Sequence, residues 1–397
     1  MWFKYLREPT PSDVLASGEA FHYFENGMSC LGWIPPARYE KIYKILAIFF
    51  FVWTVYYVPT GIIFSFVLDM EHLSPSELLT VLQLFVNACG SPFKVFFLKT
   101  YLWRFQRTKE LFGQMDERCS TLVERFEIHR WVVRCNRAYL MYESLYVGYG
   151  ISTFLSAVLS GGLPWRIYTP FVDWRQSLTS YWICVLHETI LMLFAVSQNV
   201  LIDVYSFLCG IMLKVHITLL IKRVERLCTD PEKSDEENLK DLVDCIEDHK
   251  LIKECAQMIR PVIAGTIFVQ FLLIGVSLGF SMINLFFFAD LWAALATLAY
   301  IIGLIMQTFP FCFVCDLIKA DCELLQMAIF HSNWLDSSKK YKTSLILFLM
   351  NAQQSIVFTA GKIFPITTNT NVKVAKLAFS VVTLVNQFNL AEKLATN

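Results

Sequence analysis

Hydrophobic residues in this chain occur in long continuous runs separated by shorter polar or charged stretches. This pattern is typical of helices that cross a membrane. Seven runs reach the length of about 20 residues that spans roughly 30 Å of hydrocarbon. The predicted spans are Lys41–Leu68, Glu77–Trp103, Arg137–Leu159, Thr179–Tyr205, Pro261–Phe288, Leu291–Leu317 and Val372–Leu390. The pattern therefore predicts an all-α membrane protein with seven transmembrane helices.

One further apolar stretch, Tyr341–Ile363, is less regular. Asn351, Gln353 and Gln354 interrupt it, and Gly361 falls near its end. Amide side chains are unfavourable against lipid because hydrocarbon offers them no hydrogen-bond partner. We interpret the stretch as a helix packed on protein at the membrane's edge, and an eighth span is the alternative.

The last predicted span carries polar residues along one side. These residues recur every three or four positions, which places them on one face of a helix. They are Lys373, Lys376, Ser380, Thr383 and Gln387. Such a face suits a water-filled path. Alternatively, the hydroxyl groups bond back to carbonyls of their own helix in a purely structural span. The residues alone leave both readings open.

Composition supports the membrane assignment. The chain is 55% hydrophobic and 17% charged, with a mean hydropathy of +0.48. A soluble protein has about a quarter charged residues. The net charge of zero gives no reason to expect a nucleic-acid partner. The first forty residues contain no apolar run, so we expect no cleaved signal peptide.

Lysine and arginine are unevenly distributed between the connections. They are abundant in the N-terminal segment and after spans two, four and six, for example at Arg104, Arg118, Lys222 and Lys339. The opposite side has few, among them Arg166, Arg175 and Lys393. The positive-inside rule then places the N-terminus inside and the C-terminus outside.

Spans four to six are longer than a membrane requires. No proline interrupts Thr179–Leu227, which as a helix would reach roughly 70 Å. After a charged turn, Ser234 and the following acidic residues suit the start of a returning helix. We therefore predict a cytosolic anchor bundle from about 206–260 and 318–363. An assembly platform is one interpretation of it, and helices that pack only within one chain are the other.

Other classes of function find little support. A G-protein-coupled receptor would run in the opposite orientation and carry Asp-Arg-Tyr after span three and Asn-Pro-x-x-Tyr in span seven. We see no catalytic motif, so no enzyme or cofactor is expected. Cys312-x-x-Cys315 has no second ligand pair, so no metal site is expected. His187-Glu188 in span four is a proton or metal site or, alternatively, a hydrogen-bonding pair within the bundle. No internal repeat suggests a transporter.

Helix order and local sequence resemble the insect odorant receptors. Four segments carry the resemblance: Gly265–Gly275 (GTIFVQFLLIG), Gln307–Cys312 (QTFPFC), Phe330–Trp334 (FHSNW) and Val374–Ser380 (VAKLAFS). It covers nearly all of 1–397 as a single domain. It implies the odorant-specific subunit of a ligand-gated, non-selective cation channel that works as a heterotetramer with the odorant-receptor co-receptor. The location it implies is the plasma membrane of olfactory sensory dendrites. A gustatory-receptor-like homomeric channel is the nearest alternative.

The resemblance also implies that the last helix, about 372–392, lines the pore. The candidate pore-lining residues are Lys373, Lys376, Ser380, Thr383, Leu384 and Gln387. Neutral hydroxyls and amides would hydrate passing cations. The two lysines are awkward for a cation path. Either they extend away from the axis or they meet acidic residues of a partner.

A ligand pocket is expected in the outer halves of spans two, three, four and six, where span three has an aromatic face. An apolar cavity with a few polar groups suits a small volatile molecule. The candidates are Phe85, Ala88, Tyr142, Tyr146, Tyr149, Gly150, Thr153, Phe154, His187, Leu191, Phe194, Ala299 and Tyr300. For each of them, ordinary packing between helices is the alternative.

Overall fold

The structure is a computed structural model that describes residues 4–11, 13–35, 40–69 and 74–387. Within these ranges it is almost entirely helical. The helices are α1 (His22–Cys30), α2 (Glu40–Val52), α3 (Val58–Asp69), α4 (Pro75–Thr100), α5 (Leu102–Glu117), α6 (Leu122–Ser160), α7 (Leu178–Val224), α8 (Asp235–Ile283), α9 (Leu291–His331), α10 (Lys339–Ala352) and α11 (Thr368–Gln387). Two π-helical turns, Trp53–Tyr57 and Asn284–Phe288, join α2 to α3 and end α8.

Five stretches of the described chain are long and apolar enough to cross a membrane. They are Glu40–Leu68, Pro75–Thr100, Leu178–Val224, Asp235–Phe288 and Ala294–His331. They correspond to predicted spans one, two, four, five and six. The third predicted span lies in α6 and the seventh in α11. Leu390, its predicted end, lies outside the described residues, as does the C-terminal Lys393.

The long helices predicted from the sequence are present. α7 has 47 residues, so it extends about 70 Å. α8 begins at a capping box, in which Ser234 Oγ accepts the Glu237 N–H at 3.3 Å and the Glu237 carboxylate accepts the Ser234 N–H at 2.8 Å. α9 continues to His331. Residues 206–224 of α7, 235–260 of α8 and 318–331 of α9 pack together with α10 at one end of the molecule, which we call the anchor end.

The main hydrophobic core extends through the anchor end. Residues of α5 to α10 contribute to it, among them Phe112, Tyr205 and Phe348. The segment before α2 belongs to the same core, since Phe21 lies 5.2 Å from the Phe105 ring, measured between ring centroids. Only a short apolar pattern marks this segment in the sequence, and we did not predict its packing.

The stretch Tyr341–Ile363 is helical only as far as Ala352 within α10. The prediction of a helix to Ile363 is therefore wrong. Two short strands follow, β1 (Thr359–Ala360) and β2 (Phe364–Pro365), which pair antiparallel. The backbone is left-handed at Gly361 and Lys362, where the chain turns, and a helix cannot continue through that conformation.

α11 packs against α8 and α9 through one face. Asn371, Ala378 and Val382 are buried on that face. Ala378 belongs to a small core with Ile274, Leu278 and Leu304. This contact fixes which side of α11 turns away from the rest of the chain.

Candidate functional site

Part of the predicted ligand set packs around the loop between α6 and α7. Trp165 and Ile167 of this loop are buried together with Val58, Ile62 and Leu191. Phe85, Ala88 and Phe154 pack against them. We call this group the outer cluster. Trp165 and Ile167 were not among the predicted ligand residues, because helical periodicity gives no signal for buried loop residues.

Glu188 holds this loop in place. Its carboxylate is fully buried and accepts the N–H groups of Trp165 at 2.9 Å and Ile167 at 2.8 Å. Between them, Arg166 has a positive φ of 52° and pairs with Glu77 at 2.8 Å. A buried carboxylate needs such donors to offset its desolvation. These contacts agree with the hydrogen-bonding alternative for Glu188.

Aromatic residues of the first span and of α7 continue this apolar surface. His187 Nδ1 lies 3.1 Å from Thr169 Oγ1, and its ring centroid is 5.4 Å from that of Trp53. Phe194 stacks on Phe50 with a centroid distance of 4.3 Å. Both predicted residues therefore contact the first span, which the sequence did not include in the pocket.

A second group forms between α4, α6, α8 and α9. The Tyr149 and Tyr300 rings lie 6.5 Å apart between centroids. The Asn87 amide donates to Tyr300 Oη at 2.5 Å and lies 3.2 Å from Ser277 Oγ. Tyr149 is 51% exposed in the single chain, and Ala299 beside Tyr300 is also exposed. Asn87 and Ser277 supply polar groups that the sequence reading did not identify.

The other predicted residues of α6 differ in their surroundings. Tyr142 is buried in the main core and donates from its hydroxyl to the Met306 carbonyl at 3.2 Å. The Thr153 hydroxyl donates to the carbonyl of Tyr149 at 3.0 Å, within its own helix. A Cβ atom at Gly150 would meet no atom within 4 Å apart from the backbone of its own helix. The aromatic face of α6 thus contacts both groups and the main core.

Several polar side chains form a buried network between five spans. Lys94 Nζ lies 2.8 Å from Asp203 Oδ1, and the two side chains are 4% and 3% exposed. The Lys94 ammonium also donates to Gln270 Oε1 at 2.6 Å. Tyr146 donates to Asp203 Oδ2 at 2.8 Å, and Gln270 donates to Gln307 at 2.5 Å. Among these, the sequence identified only Tyr146, as a ligand residue.

The predicted pore residues lie on the exposed side of α11. Lys373, Lys376, Ser380, Thr383, Leu384 and Gln387 are all exposed. Buried Ala378 and Val382 stand two positions from Ser380, about 200° around the helix. Ser380 and Thr383 donate to the carbonyls of Lys376 and Phe379, at 3.0 and 3.3 Å. Their hydroxyl hydrogens are therefore used within the helix, while the side chains remain on the exposed face. Residues 388–392 of the predicted pore helix lie outside the described part of the chain.

A groove of about 580 Å³ opens between α8 and α10 at the anchor end. Lys253, Glu254 and Phe348 are among the residues that line it. None of the predicted ligand residues contributes to this groove.

Comparisons with known proteins agree on one family. A family model described as 7tm Odorant receptor matches residues 74–379. Odorant receptor 98a of Drosophila melanogaster is 59% identical over 397 residues, covering 100% of both chains. Odorant receptor 42b of the same species is 43% identical over 399 residues, again covering 100% of both.

Solved structures give the same answer for the fold. The insect olfactory receptor OR5 from Machilis hrabei matches with a TM-score of 0.74 at 12% identity, covering 93% of this chain and 97% of that one. The structure of the same receptor in complex with eugenol matches with a TM-score of 0.72 at 13% identity, covering 93% of this chain and 100% of that one.

Proposed function

This chain belongs to the 7tm odorant receptor family, and from that premise we propose that it is the odorant-binding subunit of a ligand-gated, non-selective cation channel. It works with the odorant-receptor co-receptor in a heterotetramer. Its site of action is the plasma membrane of the olfactory sensory dendrite. The observation that carries the channel proposal is the exposed polar face of α11, opposite the face that packs on its own subunit.

This polar face needs an aqueous neighbour. A Gln387 amide turned toward lipid would lack hydrogen-bond partners, at a cost of several kcal/mol. A water-filled axis between subunits removes that cost and provides oxygen atoms for passing cations. Ser380, Thr383 and Gln387 are then the pore-lining polar residues, with Leu384 beside them. Lys373 and Lys376 lie at the cytosolic mouth in this arrangement.

The odorant pocket that we propose lies between the outer cluster and the Tyr149–Tyr300 pair. The outer cluster offers apolar surface, which suits the carbon skeleton of a volatile molecule. Asn87 and Tyr300 offer hydrogen-bonding groups to orient it. The solved Machilis receptor was determined in complex with eugenol, an aromatic volatile, which supports a ligand of this class.

The assembly surface that we propose lies at the anchor end. Large apolar side chains of α9 and α10 are exposed there in the single chain, among them Met327, Phe330, Leu347 and Met350. Exposed apolar patches of this kind mark protein–protein contacts. The adjoining groove between α8 and α10 adds a concave surface. These features support the anchor bundle of about 206–260 and 318–363 as the contact with the co-receptor.

Whole-cell recording tests the proposal. The chain is expressed with and without the co-receptor and exposed to a panel of volatiles that includes eugenol. We expect odorant-evoked cation current only in cells that express both chains. Robust current from this chain alone would instead support a homomeric, gustatory-receptor-like channel. A second-messenger response without current would contradict the channel proposal.

A further inference from the structure

The polar network of α4, α6, α7, α8 and α9 joins the region of the pocket tyrosines to the spans that support the pore helix. Tyr146 contacts Asp203, Asp203 contacts Lys94, and Lys94 contacts Gln270, with distances of 2.8, 2.8 and 2.6 Å. Gln270 then contacts Gln307 at 2.5 Å. Every link is a hydrogen bond between side chains of different helices.

Burying the charged side chains of Lys94 and Asp203 within the spans costs free energy. Lys94 and Asp203 are almost completely buried within apolar spans, where neither charge is solvated by water. The attraction between them and the added bonds from Tyr146 and Gln270 offset that cost. A well-packed apolar pair of similar volume is often at least as stable as a buried ion pair. Stability alone therefore gives no reason for an ion pair here.

The network continues to α11 through α9. Thr308 follows Gln307 directly, and its hydroxyl oxygen accepts a bond from Asn371 Nδ2 at 3.0 Å. Both Thr308 and Asn371 are buried, and Asn371 lies in the first turn of α11. A second contact lies close by, where Asp316 accepts the Thr368 N–H at 2.9 Å. α9 thus holds the beginning of the proposed pore helix.

α9 also carries a proposed pocket residue on the same face as the network. Tyr300 precedes Gln307 by two helical turns, so the two side chains point the same way. A small rotation or shift of α9 that moves Tyr300 would therefore also strain the Gln270–Gln307 bond and the Thr308–Asn371 bond. Glutamine amides have alternative acceptors and donors, so such a network has discrete arrangements rather than a continuous range.

We propose that Lys94, Asp203, Gln270 and Gln307 are positioning residues for gating. They hold α9 in register with α4, α7 and α8, so that odorant contact near Tyr146 and Tyr300 changes the position of α11 through the Thr308–Asn371 bond. This inference rests on the proposed channel function and adds the path by which the two sites are coupled. The competing explanation is a structural fastening of the helices with no part in gating.

Two mild variants separate these explanations. Tyr146→Phe removes only the hydroxyl bonded to Asp203, and Thr308→Val removes the acceptor of Asn371 while keeping the side-chain shape. Each is recorded with the co-receptor, alone and combined, over full dose–response curves for several odorants. We expect each to shift the potency of all odorants by a similar factor, roughly 5- to 100-fold, and to change the basal current. Because both act on one path, their combined effect is expected to be non-additive.

Ser197→Ala is the matched control. Ser197 donates to Glu143 at 3.2 Å, a bond between α7 and α6 that lies outside the path. The Ser197→Ala variant should leave odorant potency and basal current unchanged. Equal shifts in this control and in Thr308→Val would overturn the proposal, because any lost interhelical bond would then have the same effect.

Testing the Lys94–Asp203 ion pair itself requires substitution of both residues. Lys94→Met alone leaves a buried, unpaired carboxylate and is expected to lose surface expression. The double variant Lys94→Met/Asp203→Leu removes both charges and should restore expression while the odorant response remains impaired. Normal potency and basal current in the double variant would overturn the positioning role.

The outcomes also separate this inference from the function on which it rests. If the wild-type chain with the co-receptor gives no odorant-evoked current, the channel proposal fails. If the wild type responds and Tyr146→Phe and Thr308→Val match it, only the coupling path fails. A Tyr146→Phe effect that reorders the odorants would place its hydroxyl in the pocket and contradict its place in the coupling path.

Discussion

Tyr149 shows how a single side chain can be tested as a pocket residue. Its ring lies 6.5 Å from that of Tyr300, yet 51% of its surface is exposed in the single chain. An uncharged volatile gains affinity mainly by burying carbon, about 25 cal/mol per Å². Removing the ring in Tyr149→Ala should therefore cost about 1–3 kcal/mol, a potency loss of roughly tenfold to a hundredfold.

Dose–response curves for several odorants, at matched surface expression, provide the measurement. Tyr149→Phe keeps the ring and should have a smaller effect than Tyr149→Ala. A pocket residue changes potency for some odorants more than for others. A uniform shift for all odorants in Tyr149→Ala would argue against Tyr149 as a ligand contact.

Asp116 provides a residue-scale prediction outside the spans. Its carboxylate accepts the N–H and the hydroxyl of Ser17, each at 2.6 Å, and so holds the N-terminal segment against α5. Burial raises the pKa of Asp116 from 3.8 to about 6, although the bonds from Ser17 oppose this rise. The folded protein thus binds this proton more tightly than the unfolded chain. The resulting stabilisation is fully present below about pH 4 and is lost as the pH rises through about 6.

Protection of the N-terminal segment should consequently increase between pH 7.5 and pH 5. The difference between wild type and Asp116→Asn isolates this one group. Over this pH range it should amount to about 1.4 kcal/mol, because pH 5 lies only about one unit below the folded-state pKa of about 6. Hydrogen exchange of residues 15–35 in lipid nanodiscs measures it. Identical pH profiles for the two proteins would show that Asp116 does not govern this docking.

At the scale of elements, a helix could be predicted from the sequence where its pattern of apolar and helix-forming residues was long and uninterrupted. α7 and α8 could be predicted because their apolar and helix-forming residues continue well beyond a membrane's thickness, and because Ser234 marks a helix start. The end of α10 at Ala352 was not predicted. Apolar residues resume at Ile356 after the polar interruption, and the strands that follow depend on a turn at Gly361, whose N–H donates to the Ala264 carbonyl at 2.8 Å.

The faces of α11 lead to an element-scale prediction. Thr383→Asp or Gln387→Glu adds charge to the exposed face, so either should change ion selectivity or block by divalent cations. Val382 is buried and Val385 half-buried on the opposite side, so polar changes there should mainly reduce surface expression. Reversal potentials and divalent block in co-expressed channels provide the measurement. Unchanged selectivity in both charged variants would favour a structural role for the polar face.

At the scale of the whole molecule, the sequence could indicate which residue types form a site but not which helices meet. Three tyrosines follow one another along α6, yet each has a different neighbour. Tyr142 donates to the Met306 carbonyl and Tyr146 to Asp203, whereas the Tyr149 ring lies near that of Tyr300. Those differences depend on neighbours distant in the chain. The Lys94–Asp203 pair was hidden for the same reason, since a single lysine and a single aspartate in two separate spans give no sign of contact.

The distribution of charged residues predicts the orientation of the whole molecule in the membrane. Lysine and arginine are concentrated at the anchor end and in the N-terminal segment, whereas few occur in the connections at the other end. Basic residues remain on the cytosolic side during insertion. Epitope tags at the N-terminus and in the turn 225–233 should therefore be inaccessible to antibody on intact cells and accessible after permeabilisation. A C-terminal tag should be labelled on intact cells. Surface labelling of the N-terminal tag or of the turn would contradict this orientation. It would also contradict the assignment of the outer cluster to the side from which odorants arrive.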